Sequence, residues 1–145
     1  MKKFIFAMSI FLCSVTSQAN DDWFYMGSTD ESKYYINIQS ITETKEFGKT
    51  LVKAWIKDEI FNDLTKDGLS VGDNSLMLYN LDCQENKIGL KASTSYKNRK
   101  MIPGKSFNRS YVEMKDVIPD SIGQSILAYG CEGMRIKNSS MEGAE

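Results

Sequence analysis

The sequence predicts an α+β domain: an antiparallel β-sheet of about five to six strands, a C-terminal helix packed on one face, and one disulfide. Three observations carry this. Short segments with alternating apolar residues recur from Trp23 to Met114. One stretch with helical periodicity, "VIPDSIGQSILAYGC" (117–131), follows them. Two cysteines, Cys83 and Cys131, remain once the leader is set aside.

The leader is the opening "MKKFIFAMSIFLCSVTSQA". Two lysines, a short apolar run and small residues before Asn20 describe a secretory signal peptide, read here as residues 1–19. The run is too short to anchor the chain in a bilayer. Bulky Phe11 and Leu12 before Cys13 argue against lipid attachment at that cysteine. Residues 20–131 then form a single α+β domain, and 132–145 a flexible polar tail.

Strand signals come first. "WFYMGS" (23–28) and "KYYINI" (33–38), separated by a polar turn, read as a hairpin. "KTLVKAWIKDEI" (49–60) places Val52, Ala54 and Ile56 on one face, with Lys53, Trp55 and Lys57 opposite. "SLMLYNLDC" (75–83) aligns Met77, Tyr79, Leu81 and Cys83, and "KIGLKASTSY" (87–96) aligns Ile88, Leu90 and Ala92. The gap "QEN" makes these two an antiparallel pair. A further strand is expected over 107–114. Segments 61–74 and 97–105 read as loops.

The helix signal is different. Pro119 suits a first turn, and Asp116, Asp120 or Ser121 could cap it. Ile122, Ile126 and Tyr129 share a face, Leu127 widens it, and Gly130 is placed to end the helix. Cys131 would lie just past that end.

Chemistry is narrowed mainly by what is missing. The chain has no histidine, which removes Ser-His-Asp and Cys-His catalysis and His-containing zinc sites. No phosphate-cradling glycine loop or nucleophile elbow occurs. The chain therefore reads as non-enzymatic, without cofactor or metal. Removing Lys2 and Lys3 from 18 basic residues leaves 16 against 19 acidic, a net charge of −3, which is no footprint for nucleic acid. In an oxidising compartment the even cysteine pair reads as a disulfide, the alternative being two buried reduced thiols.

Two loops could bind a partner. Between Lys87 and Arg109 lie seven basic residues and no acidic ones, with Tyr96, Met101 and Phe107 interleaved. Lys97, Arg99, Lys100 and Lys105 form the expected basic binding loop. Asp63, Asp67 and Asp73 offer an alternative acidic loop, whose spacing does not fit a calcium site.

The pattern as a whole resembles the surface-adhesin protein E family of small exported bacterial proteins. Trp23, "YYINIQSI" (34–41), Trp55, "LDC" (81–83) and "IPDSIGQSILAYGC" (118–131) carry the resemblance in the family's order. Asn37 stands where an aspartate is frequent. The resemblance implies a sheet with a C-terminal helix and a Cys83–Cys131 pairing. It also implies adhesin-type binding of host extracellular or serum proteins, at the cell surface or in the periplasm, and a homodimer among the assemblies. An immunity or inhibitor protein against a bacterial toxin or wall-degrading enzyme is the alternative reading.

Overall fold

A computed structural model describes residues 22–142. The expected signal peptide, with Cys13, lies outside the described residues. Eight strands are followed by one helix: β1 Trp23–Ser28, β2 Ser32–Asn37, β3 Thr42–Glu46, β4 Lys49–Ile60, β5 Asn74–Asp82, β6 Lys87–Lys97, β7 Lys100–Asn108, β8 Lys115–Asp116 and α1 Ile122–Glu142. A 3-10 turn, Ile38–Ser40, separates β2 from β3. The strands form one antiparallel sheet in the order β1-β2-β4-β5-β6-β7, with β3 paired to β4 and β8 to β6.

The alternation in β4 and β5 works as read. Val52, Ala54, Ile56 and Leu81 are buried beneath the helix, where Ile126 and Leu127 meet them. Ile36 and Ile41 complete the centre of this core. Each such valine, leucine or isoleucine removed from water contributes about 1.5–3 kcal/mol, and this face supplies the main adhesion between helix and sheet.

Four expectations are corrected. The sheet has eight strands, not five or six, because β3 ("TETKE") and β8 carry little or no apolar alternation. Their pairing to longer neighbours makes them strands. The loop expected over 97–105 is largely β7, entered through a tight turn at Asn98–Arg99. The strand expected over 107–114 is therefore displaced towards the N-terminus. A bulge in β6 sets Leu90 opposite Tyr79 and Ala92 opposite Leu78, leaving Lys91 extra. One extra residue reverses the alternation, so Ala92 joins the face of Trp55 instead of that of Ile88.

The fourth correction concerns the helix. It does not stop at Gly130; it continues to Glu142, so Cys131 lies inside it and most of the expected tail is helical. Gly130 serves close packing. A Cβ there would stand 2.2 Å from Leu81 Cδ1, and one at Gly133 would stand 2.5 Å from Ile41 Cδ1. Further along, the Lys137 ammonium donates to the carbonyl of Ile41 at 2.8 Å, and the Asn138 amide to Glu43 at 3.2 Å. The amino end is capped by the Ser121 hydroxyl, which accepts the Gln124 N–H at 3.3 Å.

Cys83 and Cys131 are bonded, with Cα atoms 5.8 Å apart. The bond ties the middle of α1 to the turn after β5.

Candidate functional site

The two loops read from the sequence as rival sites are packed against each other. Asp73 explains why. It is buried, and each carboxylate oxygen caps a different segment. Oδ2 accepts the N–H of Ser70 at 2.9 Å and Oδ1 accepts the N–H of Asn98 at 3.0 Å. The β6–β7 tip is thereby fastened to loop 61–74. Lys97 donates to the carbonyl of Gly68 at 2.7 Å, and Lys105 to that of Asp67 at 2.9 Å. Leu69 is buried beneath the loop.

On its other side the loop is held by Glu31. That carboxylate accepts hydrogen bonds from the Thr65 hydroxyl, the Thr65 N–H and the Leu64 N–H. The Thr65 hydroxyl, foremost, holds the Glu31 carboxyl below the usual carboxylate range. The acidic side chains are thus largely engaged: Asp63 pairs with Lys66 at 3.0 Å, Asp67 lies 3.9 Å from Lys105, and Asp73 is structural.

The basic residues divide in the same way. Lys87 pairs with Glu85, Lys91 with Glu46 at 2.6 Å, and Lys105 with Asp67. The hydrogen bond from the Lys91 ammonium is the main reason the Glu46 carboxyl is held below the usual carboxylate range. Both amide atoms of Asn80 are buried without a hydrogen-bond partner. Arg109 lies over the Phe107 ring, 4.7 Å from its centroid. Among the described residues, Lys97, Arg99, Lys100 and Arg109 have no carboxylate within ion-pair distance.

Arg99 and Lys100 stand exposed at the tip. Asn98 (φ 50°) and Arg99 (φ 64°) both adopt left-handed backbone, the signature of a two-residue hairpin turn. Asparagine tolerates this conformation. Arginine, where glycine is the usual choice, costs about 1–2 kcal/mol. Beside the tip, Met101 and Phe107 line a shallow depression with Trp55 and Ala92. The sequence-predicted residues are therefore brought together, but only Arg99 and Lys100 offer free charge at the summit.

Sequence reading missed Asp58. It continues the Val52–Ala54–Ile56 alternation, so it faces inward beside Ser32, and that alternation could have placed it there. Burial raises its carboxyl above the ordinary aspartate range, against the lowering effect of Ser32. Its Oδ1 is buried with no hydrogen-bond partner. Among the described residues, no group of three His, Cys, Asp or Glu is arranged to hold a metal ion, and no helix is long and apolar enough to cross a membrane.

Residues 23–132 match the family model described as Surface-adhesin protein E. No curated protein and no solved structure matches the chain.

Proposed function

The chain belongs to the surface-adhesin protein E family, and from that premise we propose that it is a non-enzymatic, exported binding protein that recognises a protein partner through the β6–β7 tip. The family supports a surface role, and the signal-like leader supports export. The observation that carries the tip is the pair Arg99 and Lys100, exposed, uncompensated and mounted on a turn that Asp73 fastens to loop 61–74. A fixed cationic summit with an apolar shoulder, Met101 and Phe107, suits an acidic patch on a host matrix or serum protein. The acidic-loop alternative, a plug for a basic toxin or enzyme cleft, loses its free charge to Lys66, Lys105 and backbone amides.

The test is binding of residues 20–145 to immobilised host matrix and serum proteins, in parallel with the organism's own secreted effectors. An Arg99→Gln, Lys100→Gln double variant should bind a host partner at least about tenfold more weakly, with a shallower salt dependence. Unchanged affinity would remove the tip from the interface. Capture of a secreted effector alone would replace the adhesin reading with the inhibitor one.

A further inference from the structure

The two terminal strands of the sheet path, β1 and β7, are built differently. The β7 edge carries Lys100, Pro103 and Lys105, which discourage another strand from pairing with it. The β1 edge, "WFYMGS", has no charge and no proline. Among the described residues its outer backbone is also unpaired. Ile38 donates its N–H to the carbonyl of Asp22 at 3.0 Å, which makes Asp22 and Ile38 a hydrogen-bonded pair. Bonding alternates along an antiparallel ladder, so Trp23 and Tyr25, opposite Asn37 and Tyr35, turn their N–H and C=O groups to the free edge.

Beside that edge runs a groove floored by the sheet and walled by α1. Two cavities of about 840 and about 310 Å³ share Tyr129 as a lining residue. The larger extends from Gly27 to Ser121; the smaller is apolar and is lined by Phe24, Ile38, Ile41, Gly133 and Ile136. Phe24 and Tyr129 face one another with ring centroids 5.5 Å apart, and Ile136 is 51 % exposed. The ionic groups at the smaller cavity are already engaged. Glu132 pairs with Arg135, and the Lys137 ammonium is bonded to the carbonyls of Gln39 and Ile41. A complementary ligand is therefore uncharged along this stretch.

We propose that the β1 edge and the adjoining α1 groove form a peptide-binding site, independent of the β6–β7 tip. It takes an extended, uncharged segment of a partner protein with alternating aliphatic residues. The segment adds a strand to β1 through Trp23 and Tyr25 and seats alternate side chains between Phe24 and Ile136. An edge strand flanked by a helix is a recurring geometry for this mode, in which the backbone supplies affinity and the groove supplies selectivity.

The probe is the synthetic peptide acetyl-Ser-Val-Thr-Leu-Ser-Val-Thr-amide, with two forms N-methylated on alternate residues, one for each register. Hydrogen exchange and amide chemical shifts are read on the protein. Saturable binding should slow exchange of the Trp23 and Tyr25 amides by about tenfold or more, and one N-methylated form should bind at least about tenfold more weakly than the other. Ile136→Lys, on an exposed helical position, should weaken binding by a similar factor while circular dichroism stays unchanged. Tyr25→Pro, which removes an outward N–H and leaves the β2 ladder intact, should do the same. No binding at millimolar peptide would overturn the proposal. So would unprotected Trp23 and Tyr25 amides at saturation, equal binding of both N-methylated forms, or protection that depends on protein concentration without peptide, which would assign the edge to a second copy.

Discussion

Replacing Arg99 with glycine separates backbone strain from charge at the tip. Arg99 holds φ 64°, and a non-glycine residue in that region costs about 1–2 kcal/mol. Glycine removes that cost but brings a larger loss of unfolded-state freedom, about 0.5–1 kcal/mol. The expected net gain is therefore about 0.5–1 kcal/mol, or roughly 2–4 °C in Tm for a domain of this size. Arg99→Ala is the control: it removes the same charge and leaves the left-handed backbone strained, so its stability should stay within about 0.5 kcal/mol of the parent. Urea unfolding with an unchanged slope reads both. If Arg99→Gly is no more stable than Arg99→Ala, the strain argument fails. On the proposed function, both variants should weaken partner binding equally, because both lose the guanidinium.

Other outcomes follow from the packing and the charges. Gly130→Ala puts a Cβ 2.2 Å from Leu81 Cδ1 and should destabilise by about 1–3 kcal/mol, although alanine is the better helix former; a gain in Tm would show that the helix can step away from β5. The Cys83→Ser, Cys131→Ser variant releases a sequence separation of 48 residues. Chain entropy then predicts a loss of about 4 kcal/mol, visible as a Tm drop of roughly 10–20 °C. Asp58 supplies a pH signature. Its folded carboxyl holds its proton to a higher pH than in the unfolded chain, so the folded state binds more protons in that window and stability falls as pH rises through it. Asp58→Asn should therefore be more stable than the parent at pH 7, and the difference should close below the ordinary aspartate range. A difference that widens on acidification would reverse the sign assigned here.

The fold was most legible where the apolar pattern and the burial coincide. Val52, Ala54 and Ile56 repeat at the spacing of a strand, and Ile122 and Ile126 at that of a helix, and all pack on one shared core. Legibility ended where partners, not local composition, decide the structure. β3 is polar throughout and is a strand because β4 pairs with it. β7 contains Pro103 and Gly104, ordinary loop signals, which an edge strand tolerates because one side of its ladder is free. Gly130 illustrates the same limit. Locally it has the character of a helix terminator, and only the position of Leu81, distant in sequence, turns it into the point of closest approach.

The candidate site follows this rule too. The sequence set a basic segment against an acidic one and left them as competitors. Asp73 makes them neighbours, Lys105 pairs with Asp67 across them, Lys97 is taken by a backbone carbonyl, and the charge left free at the turn is that of Arg99 and Lys100. Counting charges along the chain overstates a binding surface whenever opposite runs meet in space. The quantity that bears on recognition is charge left without a partner, together with the backbone that holds it out. By that measure the tip is small and cationic, whereas the uncharged edge at Phe24–Tyr25, with Ile38, Tyr129 and Ile136 beside it, offers a separate, largely apolar surface.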